Sequence, residues 1–180
     1  MFKGKRIYIR KLEESDVKKK TEWVNNEIVN ETLMFDFPLS LSESLEWYRK
    51  THFNRNRWDF AICEIQSDNL IGMTGLIDLS YRHRRAQFYI TIGEMSAWGK
   101  GYAKEVIPLT LEFAFKELGL EKVYLFTFDN NVKARTIYEK MGFKQEALMK
   151  KQYFLHGKLN DLYQHAILKE EFLEMYKDKI

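Results

Sequence analysis

The sequence is poor in cysteine. One residue in 180, Cys63, cannot form an internal disulfide. It stands in the alternating run Phe60-Ala61-Ile62-Cys63-Glu64-Ile65, the pattern of a buried strand, and reads as an inert core thiol. Proline is nearly as scarce, with only Pro38 and Pro108. Charge of one sign is also missing. The 29 Lys and Arg face 26 Asp and Glu, a net charge of +3, which does not call for nucleic acid. No long apolar run occurs, so neither a signal peptide nor a membrane span is expected, and cytoplasmic residence follows as the default. His83 and His165 have no second ligand at a suitable spacing, and no metal is expected.

Aromatic residues are plentiful at 15%, within 45% hydrophobic and 31% charged. That composition excludes disorder and suits large, well-filled layers. The length fits one core, and a single domain over residues 1–180 is expected. Residues 6–10 alternate as a first strand. Ser15-Asp16 can cap a helix through Val17, Thr21, Trp23 and Val24, and Ser42 can open a second carrying Leu45, Trp47 and Tyr48. Residues 58–65, 70–79 and 86–92 read as strands, with a turn at Asp68-Asn69 and a basic hairpin tip at residues 82–85. From Tyr102 the period becomes helical through Val106, Leu109, Phe113, Ala114 and Leu118. Gly119 is placed to end this helix, and Pro108 is expected to bend it. Residues 123–128 follow as a strand, and 132–141 as a short helix ended by Gly142. Residues 145–154 and 161–168 are strands about a turn at His156-Gly157. This order predicts an α/β fold with one mixed, mostly antiparallel sheet and helices on both faces.

The most informative segment is Ile90-Thr91-Ile92-Gly93-Glu94-Met95-Ser96-Ala97-Trp98-Gly99-Lys100-Gly101-Tyr102-Ala103. A strand ends, a glycine-bearing loop follows, and a long helix starts. Free N–H groups at a helix N-terminus attract anions, Gly99 and Gly101 allow close backbone approach, and Lys100 adds a cation. The spacing fits neither of the two commonest nucleotide loops. A plain tight turn and a phosphate cradle both fit this segment taken alone.

Downstream stands Asn131-Val132-Lys133-Ala134-Arg135-Thr136-Ile137-Tyr138-Glu139-Lys140-Met141-Gly142-Phe143. Together the two segments resemble the GCN5-related N-acetyltransferases. Residues 98–103 look like that family's acetyl-CoA pyrophosphate loop. Asn131, Ala134, Tyr138 and Gly142-Phe143 match its second cofactor motif. Residues 4–10, Ile71-Gly72, and the tail from His156-Gly157-Lys158 through Asp161 to Glu171-Phe172 extend the likeness, and resemble the branch named for the RimJ and RimL ribosomal-protein acetyltransferases. Trp98 departs from the Gln or Arg common at the start of the loop. Backbone N–H groups do the phosphate work, which leaves that side chain freer to vary.

The resemblance implies an enzyme that transfers an acetyl group from acetyl-CoA to a primary amine. It implies a cofactor site at Ile92, Gly93, Trp98, Gly99, Lys100, Gly101, Tyr102, Ala103, Asn131, Ala134 and Tyr138, with the pantetheine arm pairing at Ile92 and Gly93. Tyr138 is the expected general acid, because a phenol stays protonated at neutral pH. Asn131 suits either a helix cap or a contact to pantetheine. No carboxylate stands on residues 125–128, so Glu94 is the first candidate base, ahead of Asp78 and Glu64, with water as the rival. Trp23, Asn25, Asn26, Phe35 and Tyr153 are candidate walls for the acceptor. A small-molecule amine or a protein N-terminus both fit. Polyamines, amino sugar nucleotides and antibiotic amines remain open, as do monomer and homodimer. A non-catalytic acyl-CoA-binding domain of the same fold is the alternative.

Overall fold

The computed structural model describes residues 1–177 apart from Thr32, Asp36, Phe37 and His156. Eight strands form one sheet. In chain order they are β1 (Phe2–Lys3), β2 (Ile7–Lys11), β3 (Trp58–Glu64), β4 (Leu70–Ser80), β5 (Arg85–Ile92), β6 (Lys122–Phe128), β7 (Lys144–Leu155) and β8 (Lys158–Leu168). Their spatial order is β1-β2-β3-β4-β5-β6-β8-β7. The helices are α1 (Val17–Val24), α2 (Glu27–Asn30), α3 (Leu41–Thr51), α4 (Ala103–Glu112), α5 (Val132–Lys140) and α6 (Lys169–Tyr176). The predicted mixed sheet with helices on both faces is the observed architecture.

Strand alternation sorts the core into two layers. Ile7, Ile9, Phe88 and Val123 pack with Val106, Ile107 and Leu111 of α4 and Phe172 of α6. On the other face Ala61, Cys63 and Met73 pack with Val17 and Trp23 of α1 and Tyr48 of α3. Cys63 is a buried free thiol.

Several boundaries differ from expectation. Ser40, not Ser42, caps α3: its hydroxyl accepts from Glu43 N at 3.1 Å while Glu43 reaches back to Ser40 N at 2.8 Å, a reciprocal capping box. The short α2 was not foreseen. Pro108 sits inside α4 and is accommodated there. The helix then widens into a π turn over Phe113–Glu117, where Leu118 N donates to Phe113 O, and ends at Gly119 with φ +63°. β7 and β8 run further toward their connection than predicted. Of the expected turn, Gly157 has φ +74° and His156 lies outside the described residues.

The pairing of β5 with β6 positions the site. It is parallel and short, from Arg85↔Lys122 to Gln87↔Tyr124. Every other pairing in the sheet is antiparallel. β6 continues in register with β8 as far as Phe128↔Leu162, while β5 continues along β4 as far as Gly72↔Ile92. The two strands therefore fork, and residues 88–92 lose their β6 partner. A bulge on β4 between Ile77 and Ser80, with Asp78 at φ +48°, lies beside the start of the fork; bulges of this kind add local twist.

Candidate active site

A cavity of about 510 Å³ occupies the fork. Its lining includes Phe88, Ile90 and Ile92 from one face of β5 and Gln87, Tyr89 and Thr91 from the other. Successive strand residues point to opposite faces, so the cavity passes through the sheet. One mouth is walled by Trp98, Ala103, Asn131, Ala134 and Tyr138, the other by Lys20, Trp23, Phe35, Trp47 and Arg57.

The first mouth is built from backbone. Gly99 and Gly101 both adopt positive φ, at +76° and +79°, which curves the loop before α4. The N–H groups of Gly99, Lys100, Gly101, Tyr102 and Ala103 meet no hydrogen-bond acceptor among the described residues. That array, at a helix N-terminus, fits a pyrophosphate. Side chains hold the loop in shape. Arg6 Nη1 donates to Lys100 O at 3.0 Å, and Arg6 Nε is 2.5 Å from Glu105 Oε1. Tyr102 donates its hydroxyl to Glu64 at 2.7 Å, and Trp98 Nε1 donates to Ile92 O at 2.7 Å. The Trp98 side chain is thus engaged rather than free to vary.

Tyr138 projects from α5 against the edges of Phe88 and Phe143, at centroid distances of 6.2 and 5.8 Å. Burial pushes its phenol well above the ordinary value. Its hydroxyl has no hydrogen-bond partner among the described residues. Asn131 caps α5, its Oδ1 accepting from Ala134 N at 3.1 Å, and also lines the cavity. Across the fork, Thr127 lines the cavity, and its hydroxyl is buried without a partner among the described residues.

The second mouth is built from side chains. The Trp23 indole covers Gly93 so closely that a Cβ there would lie 2.0 Å from Trp23 Cδ2. Lys20, 6% exposed, places its ammonium 4.0 Å from the Trp47 ring centroid. Its pKa is lowered to about 8, first by desolvation and then by Arg57, against the pull of Asp59. Arg57 forks onto Asp59 with both contacts at 2.7 Å, and the Tyr89 hydroxyl donates to Asp59 at 2.6 Å.

Residues 6–144 match the acetyltransferase (GNAT) domain family. The chain belongs to the GNAT family. It is an acetyl-CoA-dependent N-acetyltransferase, with the mixed sheet of that fold. Among curated proteins, the spermidine N(1)-acetyltransferase of Vibrio cholerae is 31% identical over 170 residues, covering 93% of this chain and 95% of that protein. A crystal structure of the Vibrio cholerae spermidine N-acetyltransferase in complex with CoA and spermine superposes with a TM-score of 0.89 at 31% identity, over 93% of this chain and 98% of that one. A putative ribosomal N-acetyltransferase of Bacillus subtilis, YdaF, is 26% identical over 92% of this chain and 93% of that protein.

This GNAT cavity gathers Ile92, Trp98, Ala103, Asn131, Ala134, Tyr138, Trp23 and Phe35. Other expected residues lie elsewhere. Gly93 is buried under Trp23 and does not line the cavity. Lys100 is an exposed residue that contributes its backbone to the loop. Asn26 caps α2, accepting from Ile28 N and Val29 N at 3.0 and 3.3 Å. Asn25 ties down Leu39 through both backbone groups at 2.7 and 2.8 Å. Tyr153 packs on Phe128 and donates to Met34 O at 3.4 Å, standing behind the wall rather than in it. Glu94 pairs with Lys19 at 3.2 Å and lies outside the lining. Asp78 accepts from Tyr124, and Glu64 from Tyr102 and Ser67. The two histidines weighed as ligands join no group of three metal-binding side chains among the described residues.

Sequence reasoning missed Lys20, Trp47, Arg57, Tyr89 and Thr127. For Lys20 a signal existed. Position 20 falls on the stripe Val17, Lys20, Thr21, Val24 at helical spacing, where a lysine is out of place.

No helix among the described residues is long and apolar enough to cross a membrane. At the basic hairpin tip, Arg84 donates to Gly119 O and pairs with Glu121 at 2.7 Å, and Arg85 lies over Tyr124.

Proposed function

We propose that this chain, acting as one domain over residues 1–180, transfers the acetyl group directly from acetyl-CoA to the primary amine of a small molecule. The loop at residues 98–103 holds the pyrophosphate through its N–H groups. The amine enters from the Lys20 mouth and attacks the thioester within the fork. Tyr138 donates its phenolic proton to the departing sulfur.

The observation that carries this reading is the cavity through the sheet. It joins an array of N–H groups that meet no acceptor among the described residues to a separate aromatic mouth, with Tyr138 in its wall. Among the described residues no Asp or Glu lines it. In this reading the amine loses its proton to water, or binds already neutral. A cavity of this size suits a small molecule, and the spermidine acetyltransferase relative supports the same class. The RimJ/RimL-like motifs and the putative ribosomal relative favour a protein N-terminus instead. A panel of amines and short peptides with acetyl-CoA, followed by thiol release, tests the proposal. Amine-dependent release is expected. Tight acetyl-CoA binding with no release for any amine would make the chain an acyl-CoA-binding domain.

A further inference from the structure

Among the described residues, the acceptor mouth carries the same sign of charge as a polycation. Its two cationic side chains are Lys20 and Arg57, and no carboxylate lines the cavity among the described residues. Arg57 is neutralised by its two-pronged contact with Asp59. Asp59 is saturated in turn, since the Tyr89 hydroxyl also donates to it. Lys20 is left over. It is 6% exposed and forms no ion pair with a described residue. The faces of Trp47 and Phe35, 4.0 and 5.4 Å from its ammonium, and the more distant Asp59, already held by Arg57, stabilise the charge in part.

Aromatic faces stabilise a cation only modestly. Burying an ammonium costs more than that, which is why buried charges are normally paired. Among the described residues, Lys20, Arg57 and Asp59 leave one net positive charge beside the cavity, and a buried net charge calls for a counterion from the ligand. A second ammonium on the acceptor would meet repulsion at the same place.

We infer that the acceptor of this acetyltransferase carries an anionic group, a carboxylate or a phosphate, which pairs with Lys20 while its amine reaches through the fork toward Tyr138. Lys20 is then the residue that sets acceptor class. The inference rests on the transfer reading above and narrows it. Desolvation of Lys20, with Arg57 repelling it and Asp59 only partly offsetting both, agrees with a charge that an anionic ligand would stabilise.

The test compares glucosamine 6-phosphate with glucosamine, and both with spermidine, by thiol release from the full chain. We expect kcat/KM for the phosphorylated amine to exceed that for its neutral counterpart by about tenfold or more. In Lys20→Met that ratio should collapse toward one. In Lys20→Arg it should persist. Acetyl-CoA affinity by calorimetry reports that each variant is folded. Spermidine outrunning both sugars, or a ratio unchanged in Lys20→Met, overturns the inference and leaves acetyl transfer standing. If no amine releases thiol, the transfer reading fails instead. Charge recognition is then read by NMR titration of the Lys20 ammonium: its pKa should rise with glucosamine 6-phosphate and not with glucosamine. No rise would overturn the inference there as well.

Discussion

The two mouths of the cavity are made in different ways. The loop before α4 presents backbone N–H groups, and its side chains mostly brace the loop from behind, as Arg6 does through Lys100 O and Glu105. The mouth under α1 and α3 presents side chains: Lys20, Trp23, Trp47 and Arg57. A backbone site depends on a few positions where only glycine suits, so its sequence is constrained and short. A side-chain site can be refitted one residue at a time. One fold can therefore keep one acetyl donor and change its acceptor.

Tyr138, which stands in the wall between the mouths, gives the largest expected effect. Tyr138→Phe keeps the ring against Phe88 and Phe143 and removes only the hydroxyl. General acid catalysis commonly contributes ~10²–10⁴-fold, so the single-turnover rate should fall by about that factor while acetyl-CoA affinity holds. Full single-turnover activity would reduce Tyr138 to a packing residue.

Lys20 sharpens the contrast through stability. Its pKa is lowered from 10.5 to about 8 in the folded chain. Below pH 8 both states are charged, and the native state carries the whole cost of burying that charge. Between about 8 and 10.5 the unfolded chain binds more protons, so wild-type stability rises with pH. Without ligand, Lys20→Met should be more stable than wild type at pH 7 by up to about 3 kcal/mol, and the gap should close toward pH 10.5. Denaturant titrations at pH 7 and pH 10 check both parts. Equal stability at pH 7 would mean that the charge is already satisfied.

The same contrast explains what the sequence made legible. Period and turn chemistry located nearly every strand, and the glycine-bearing loop before α4 stood out by its spacing. The fork did not announce itself, because the register that ends at Gln87↔Tyr124 is a long-range fact with no local pattern. The caps Asn26 and Ser40 were missed for a related reason, Asn26 being weighed as an acceptor wall and Ser42 taken to open α3: a capping side chain resembles any other polar residue until the helix start is known. Glu94 follows the central strand and looked like a base, but Lys19 of α1 holds it outside the cavity. Lys20 was legible in principle as a cation on an apolar stripe, hidden inside the run Lys18-Lys19-Lys20.

On the backbone side, Gly101→Val should cost less than the loss of the Tyr138 hydroxyl. A Cβ at Gly101 finds room on the protein side, with Arg6 Nη2 as its nearest neighbour at 3.9 Å. The cost comes from φ +79°, which a β-branched residue tolerates poorly, at about 1–3 kcal/mol. Acetyl-CoA affinity by calorimetry should weaken about 10- to 100-fold in a protein that still folds. Unchanged affinity would separate the loop's curvature from cofactor binding.

The smallest effect tests whether side chains matter at all on the backbone side. Trp98 Nε1 donates to Ile92 O, at the end of β5 past the point where its ladder to β6 stops. Trp98→Phe removes that donor and keeps an aromatic ring. A neutral hydrogen bond contributes about 0.5–1.5 kcal/mol, and Trp98 is 41% exposed, which favours the lower half of that range. If the indole braces the loop, acetyl-CoA affinity should fall about two- to fivefold. The saturated rate should hold, since Tyr138 stands on a different element. The opposite sign carries equal information. If a pantetheine amide pairs at Ile92, as the family resemblance implies, an affinity that rises in Trp98→Phe would show the indole competing for that carbonyl. The backbone mouth would then be tuned by a side chain, as the acceptor mouth is, and the contrast between the two would be one of degree.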